Sequence, residues 1–269
     1  MKKILFPTDF SEAAAIALDY AVAFANHVGA TIDIMTIYNI PIDVAETVYP
    51  HTIDPLIAEK RKAVQQQLEK LTTKYPNHII GDRKAEYGLF IYQEVVDTAG
   101  SGNYDCIIMG AKGETDGIDK LMGNVTSHTM MQAPCPVLAV PQDAQYKPIK
   151  KIAYATDFIP EDQNAVSQLL KFSKLLDASI HLVHIEEKGR GHKENDEKVL
   201  DHYPVKFADF TIVNAESIEA GINNFIESEE IDILCLFVPK RRIWERLFHS
   251  SFTKKMTLHS KIPLLTFHQ

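Results

Sequence analysis

The sequence predicts an α/β fold, built as two tandem units that each carry a parallel sheet with helices on its faces. Three observations predict it. Short apolar runs alternate with amphipathic helical stretches along the whole chain. The opening segment Lys3-Ile-Leu-Phe-Pro-Thr-Asp9-Phe10 recurs as Lys151-Ile-Ala-Tyr-Ala-Thr-Asp157-Phe158, an offset of 148. Further on, Cys135-Pro136-Val-Leu138 matches Ile262-Pro263-Leu-Leu265 at an offset of 127, so the second copy is shorter by about one segment. A helix between two strands returns the chain to the end where it began, which makes the strands parallel and covers both sheet faces.

Each element of the first copy has its own signal. Residues 3–6 form an apolar strand that ends at Pro7. Ser11 caps the next helix, with Glu12 in its first turn. Ala13, Ile16, Ala17, Tyr20, Ala21, Phe24 and Val28 recur at helical spacing, and Gly29 stops the helix. Residues 31–38, rich in Ile and Thr, are a strand. Residues 55–74 are a polar amphipathic helix, 79–86 a strand, 91–99 a helix and 106–109 a buried strand. A short helix over 125–132 and a last strand over 136–140 complete the unit.

The second copy follows the same order: 152–155, 162–176, 180–185, 207–213, 218–227, 231–238, a helix near 252–259, and 263–267. The segment Ile34-Met-Thr-Ile37 aligns with Leu182-Val-His-Ile185. The second helix of this copy is short and polar, around 194–202, where the missing residues belong. The boundary falls in the polar stretch from Pro141 to Lys150, giving domains of 1–143 and 149–269.

Composition excludes several classes. The 269 residues are 45% hydrophobic and 24% charged, which rules out disorder and fibre. The net charge of −8 argues against nucleic acid or an anionic membrane as a general partner. No apolar run approaches the roughly 20 residues that span a bilayer, and the amino terminus turns polar too soon for a signal peptide. Cys106, Cys135 and Cys235 show neither a disulfide framework nor metal-ligand spacing, which suits a reducing cytoplasm. Cys106 and Cys235 read as apolar filling in buried strands. His181 and His184 stand three apart in a strand and so face opposite sides, which does not suit one metal. His192 has no visible metal partner.

The most specific chemical signal is Met109-Gly110-Ala-Lys-Gly113-Glu-Thr-Asp-Gly-Ile-Asp-Lys-Leu-Met-Gly123-Asn124-Val125-Thr126. The pattern is Gly-x2-Gly-x9-Gly-Asn opening into a helix. Glycines let backbone approach a ligand, and a helix start offers free N–H groups and a positive dipole end. Asn124 and Thr126 add side-chain donors. By residue chemistry alone the loop reads equally as a phosphate cradle or as a connection that needs glycine for its turns. Position favours the cradle. If the strand order is 3-2-1-4-5, the switch point lies between the first and fourth strands, where ligands of open α/β sheets bind. The Pro7-Thr8-Asp9 turn and the glycine loop then meet at one crevice. Asp9 suits a ribose hydroxyl or a base amine, and equally a helix-opening turn.

Together, the Lys3–Ser11 segment, the Gly-x2-Gly-x9-Gly-Asn loop and Cys135-Pro-Val resemble the universal stress protein family, over nearly the whole chain as two tandem family domains. The resemblance implies two Rossmann-like domains, each a five-stranded parallel sheet of order 3-2-1-4-5. Where the loop is intact it also implies ATP binding, with AMP or ADP as variants and Mg²⁺ accompanying the phosphates. Asn124 departs from the Ser or Thr usual there but keeps a hydrogen-bonding side chain. By resemblance Pro7, Thr8 and Asp9 line the pocket and Ile37 flanks adenine. Met109, Gly110, Gly113, Gly123, Asn124, Val125 and Thr126 hold ribose and phosphates. The resemblance further implies that the two fifth strands pair within the chain, with a homodimer as a further option.

In the second copy Gly110, Gly113 and Gly123 align with Phe237, Lys240 and Ser250, so the glycines are gone, although Asp157, Ser251 and Thr253 remain. The stretch holding Lys240, Arg241, Arg242 and Arg246, with Trp244, Leu247 and Phe248, reads either as a solvated loop or as an anion or partner site. No nucleic-acid recognition motif accompanies it.

The leading expectation is an ATP-binding, non-enzymatic sensor or regulator of stress responses with its nucleotide in the first domain. A nucleotide-free interaction scaffold and a slow ATP hydrolase are the alternatives. The hydrolase lacks a Walker lysine, and His128, near the loop, lies inside the short helix.

Overall fold

A computed structural model of the chain describes residues 1–39, 50–112, 123–156, 163–187, 207–238 and 262–268. The predicted helices at 194–202 and 252–259 lie outside them. In chain order the first half holds β1 (Lys3–Pro7), α1 (Glu12–Val28), β2 (Thr31–Tyr38), α2 (Pro50–Thr72), β3 (Ile80–Tyr87), α3 (Ile91–Ser101), β4 (Cys106–Gly110), α4 (Asn124–Gln132) and β5 (Val137–Val140). The second half holds β6 (Lys151–Ala155), α5 (Gln163–Leu176), β7 (Ser179–Glu187), β8 (Asp209–Ala215), α6 (Ile218–Ser228), β9 (Ile233–Val238) and β10 (Leu264–His268).

The strands form one sheet of ten, in the order β3-β2-β1-β4-β5-β10-β9-β6-β7-β8. Each half is parallel and ordered 3-2-1-4-5, the predicted α/β architecture. At the centre β10 meets β5 antiparallel, with Leu264 opposite Ala139, Leu265 opposite Leu138 and Thr266 opposite Val137. The pairing gives β5 a second neighbour, so neither fifth strand is left as an open edge.

The strand pleat divides the core between the sheet's faces. Ile4 and Phe6 join α1, α2 and α5 on one side, through Leu18, Phe24, Leu68 and Leu169. Leu5, Ile107 and Met109 join α3, α4 and α6 on the other, through Val95, Met130 and Phe225. Across the junction of the halves Phe24 stacks on Phe172, and Phe172 meets Phe267 edge-on. Tyr146, from the connecting stretch, packs against Tyr20 and bonds His27 Nδ1 at 2.7 Å.

Local chemistry explains the helix ends. Ser11 Oγ accepts the Ala14 N–H, and Gly29 closes α1 in the left-handed region at φ 66°. Helix α2 starts at Pro50, five residues before the expected start, with Pro55 inside it. Pro55 is the sixth residue of the helix, past its first turn, so its missing N–H removes one intrahelical bond.

Residues at the two offsets share conformations. Gly29 and Asp177, 148 apart, both have positive φ, as do Asn103 and Glu230, 127 apart. The helix caps differ. Ser217 Oγ accepts the Ala220 N–H at the start of α6, whereas Phe90, 127 residues earlier, stands at the N-cap of α3 with no side-chain bond. A missing cap of this kind costs about 1 kcal/mol.

At the amino end of the first half, Asp33 is buried in β2. It accepts from Tyr104 Oη at 2.7 Å and the Asp82 N–H at 2.8 Å, and pairs with Lys3 Nζ at 3.0 Å. Burial alone would raise its carboxyl pKa, but these bonds and the Lys3 charge hold it below its ordinary value.

Candidate functional site

Because β1 pairs with both β2 and β4, the first half's switch point lies beyond the carboxyl ends of β1 and β4. The turn after β1 is tightly held. Buried Thr8 donates its N–H to Met35 O at 2.8 Å, and its Oγ1 accepts the Phe10 N–H at 3.1 Å. Exposed Asp9 accepts the Ser11 N–H through Oδ1 at 3.0 Å, so the carboxylate opens α1. Phe10 stands at φ 63°, a left-handed conformation that costs a non-glycine residue about 1–2 kcal/mol. Such strain persists only where its surroundings enforce it.

From β4 the chain reaches the same crevice. Gly110 packs against α1: a Cβ there would lie 3.1 Å from Lys112 O and 3.6 Å from Ala13 O. The alanines of α1 make this approach possible, since Ala14, Ala17 and Ala21 are buried. Two bonds then fix the start of α4 beyond the end of β4. Gly123 donates its N–H to Ala111 O at 2.7 Å, and Thr126 Oγ1 donates to Gly110 O at 2.8 Å.

Gly123 is the N-cap residue at φ −70° and has no side chain to cover the first N–H groups of α4. A helix start that its own N-cap residue does not cover suits an anion. Asn124 is exposed and Val125 half-buried. Thr126 is buried with its hydroxyl spent on Gly110, so it braces the loop ends. Met109 and Pro7 are buried beneath the crevice, and Ile37 at the end of β2 is half-buried. Gly113 lies outside the described residues.

Sequence reasoning did not single out Tyr92. Its ring stacks on His128 at 4.8 Å, and His128 donates Nδ1–H to Asn124 O. The pair ties the start of α3 to α4 beside the crevice. No local pattern announces it, since the two residues come from different helices.

The corresponding crevice of the second half differs. His184 donates Nδ1–H to Thr156 O at 2.8 Å. Ile185, 148 residues after Ile37, is buried beneath α6, where Gly221 allows close contact. Asp157, Lys240 and Ser250 lie outside the described residues. His181 bonds Asp209 at 2.7 Å and lies 2.8 Å from Ser179 Oγ, so each of the two histidines has its own protein partner. His192 lies outside the described residues. Cys106 and Cys235 are fully buried, and burial raises both thiols well above their ordinary values. The Cys135 thiol is pushed up to about 12, chiefly by burial and also by Asp105.

A cavity of about 560 Å³ lies elsewhere, between α2 and the amino end of β3, walled by Glu69, Thr72, Asp82 and Arg83 among others. It is at the opposite end of the strands from the crevice, and Arg83 Nε is already bound to Thr72 Oγ1 at 2.7 Å. Among the described residues no helix is long and apolar enough to cross a membrane.

Two parallel half-sheets, the first with a glycine-flanked helix start at its switch point, place the protein among the Rossmann-like α/β proteins. The universal stress protein family model matches residues 1–141, more than half of the chain. The chain belongs to the universal stress protein family. Universal stress protein MJ0577 of Methanocaldococcus jannaschii is 29% identical over 167 residues, which is 52% of this chain and 94% of that protein. A universal stress protein from Archaeoglobus fulgidus has a similar structure, with a TM-score of 0.66 and 19% identity over 99% of this chain and 96% of its own. Protein PA1789 of Pseudomonas aeruginosa, described as functionally unknown, gives 0.64 at 12% identity over 100% and 92%. At these identities the two structures speak for the fold.

Proposed function

We propose that the crevice of the first half binds an adenine nucleotide, ATP in the first instance and ADP or AMP as variants, and that occupancy regulates a partner in a stress response. The observation that carries this is the fastening of α4. The Thr126–Gly110 and Gly123–Ala111 bonds hold a helix start, uncovered by its own N-cap residue, beside the Thr8–Asp9 turn. A phosphate chain fits there because Gly110 and Gly123 bring no side chains and the α4 dipole favours negative charge. Asn124 adds an exposed amide. In this reading Asp9 would meet the ribose and Ile37 the base, and Mg²⁺ would enter with the phosphates.

The two halves act as domains of 1–143 and 149–269. The shared strand order and paired conformations support that division. The second half serves as a structural partner, a reading supported by its lost glycines and by its buried Ile185. Regulation follows by linkage: a ligand that prefers one conformation raises its population and alters the partner surface.

Equilibrium dialysis of the folded chain against ATP tests the proposal. Saturable one-to-one binding is expected. No binding at millimolar nucleotide overturns it, and ATP or AMP found by mass spectrometry in the purified protein counts for it. Measuring phosphate release in the same samples separates binding from turnover.

A further inference from the structure

At the amino ends of the two half-sheets, matching positions carry different chemistry. In the first half these positions hold Lys3, Thr31, Asp33 and Asp82. At the offsets of 148 and 127 the second half has Lys151, Ser179, His181 and Asp209. Asp33 is a structural carboxylate that takes the Asp82 N–H, while the Asp82 side chain turns to Lys84 Nζ at 4.0 Å. The fold therefore requires neither a histidine at position 181 nor a carboxylate aimed at it.

In the second half three of these side chains are linked by two hydrogen bonds. His181 Nδ1 lies 2.7 Å from Asp209 Oδ2, and His181 Nε2 lies 2.8 Å from Ser179 Oγ. With Nδ1–H donated to the carboxylate, Nε2 presents its lone pair to the serine. The hydroxyl proton has a second acceptor, Lys150 O at 3.1 Å, but the imidazole is the nearer. His181 is buried, whereas Ser179 and Asp209 are exposed. The base is thus shielded from water while the hydroxyl is open to a reactant. A serine bonded to an imidazole that a carboxylate orients is an arrangement that performs acyl transfer.

A cation stands beside the serine. Lys151 is the register partner of Ser179 on β6, so their side chains share one sheet face. Its Nζ donates one N–H to Glu229 O at 2.8 Å, which leaves two. Lys3, its counterpart, reaches Asp33 at 3.0 Å, so a lysine at this position is long enough to lie over the neighbouring strand.

We propose that Ser179, His181 and Asp209 form a nucleophilic centre that accepts the acyl group of an activated carboxylic ester. Ser179 Oγ bonds to the acyl carbon as its proton passes to His181 Nε2. The ester C–O bond then breaks, and the departing alkoxide takes that proton from His181. Water attacks the acyl-serine by the same route, which releases the carboxylic acid and restores Ser179. Asp209 acts through His181 as a positioning residue, and Lys151 offsets the negative charge on the carbonyl oxygen. The centre belongs to the amino ends of β7 and β8 and does not depend on the nucleotide crevice of the first half.

p-Nitrophenyl acetate, added to the full chain without nucleotide, tests this independently of ATP binding. Release of p-nitrophenolate and an acetyl group on Ser179, located by peptide mass spectrometry, are expected. His181→Ala should slow acetylation of Ser179 at least about tenfold, and added imidazole should restore it, a rescue that a merely packed histidine does not show. Asp209→Asn should slow it as well, while Asp209→Glu keeps most of the rate. Circular dichroism checks the fold of each variant. Asp209 is exposed, so its variants keep the fold and decide the matter where His181→Ala does not. No acetyl group on Ser179 overturns the proposal. So does acetylation at the wild-type rate in Asp209→Asn or in folded His181→Ala.

Discussion

Asp105 and Asp232, 127 residues apart, make the same pair of hydrogen bonds in the two halves of the sheet. Oδ2 of Asp105 accepts the N–H groups of Lys2 and Lys3, at 2.6 and 3.0 Å. Oδ2 of Asp232 accepts those of Lys150 and Lys151, at 2.7 and 2.9 Å. Each carboxylate thereby fastens the start of the first strand of its half beside the fourth. Asp232 is buried and also pairs with Lys147 Nζ at 2.7 Å, whereas Asp105 is exposed.

Replacing Asp232 with Ala should cost about 2 kcal/mol, and Asp105 with Ala less, because water can replace its bonds. Urea denaturation measures both. Burial would raise each carboxyl, but the backbone bonds, the Lys147 hydrogen bond to Asp232 and nearby positive charges leave both below the ordinary value. Unfolding then takes up protons in acid. This stability is therefore full above the unfolded value of about 3.9 and is lost as pH falls through the folded values. The wild-type denaturation midpoint should drop below about pH 4, and Asp232→Asn should flatten that drop.

Gly123 takes φ −70° and ψ 155°, a conformation open to any residue. Gly123→Leu should keep the native circular dichroism spectrum, at some loss of melting temperature because Gly123 is buried, while lowering ATP affinity at least about tenfold, a loss of about 1.4 kcal/mol. Retained affinity in the folded variant would take the α4 start out of the site.

Gly81 allows β3 to lie against the buried Asp33 carboxylate: a Cβ on it would collide with Asp33 Oδ1. Gly81→Ala should destabilise the fold by about 1–3 kcal/mol. Asp33→Ala should itself be costly, since it strands Lys3 and Tyr104, but the double variant should lose less than the sum. A double-mutant cycle by denaturation measures that coupling.

The two caps make opposite predictions. Ser217→Ala should lower stability by about 1 kcal/mol. Phe90→Ser should raise it by a similar amount, because the serine can accept a first-turn N–H of α3 as Ser217 does from Ala220. Thermal melts of the two variants side by side give the comparison.

Much of this was legible in the sequence because its causes are local. Ser11 and Gly29 bound α1 as expected, since capping involves residues within one turn. Strand positions followed from apolar runs, although Pro50 opens α2 earlier than Pro55 suggested. The roles of Thr126 and Asp33 were not legible. Thr126 reads as a ligand donor until Gly110 is seen 2.8 Å from its hydroxyl. Asp33 reads as an ordinary strand residue until Lys3, Asp82 and Tyr104 gather around it.

The amino-acid sequence by itself determined the α/β class, the recurrence of the Lys3–Phe10 segment at Lys151–Phe158 and the Gly-x2-Gly-x9-Gly-Asn pattern, because periodicity, capping and glycine spacing act over a few residues. Only the tertiary structure decided that Gly110 lies against α1, that Thr126 braces the loop, and that β5 and β10 join ten strands into one sheet. It also decided that Phe90 stands in solvent where its counterpart Ser217 caps a helix. These facts depend on contacts between residues far apart in the chain. Such contacts exist only once packing has fixed which sheet face and which helix end each side chain meets.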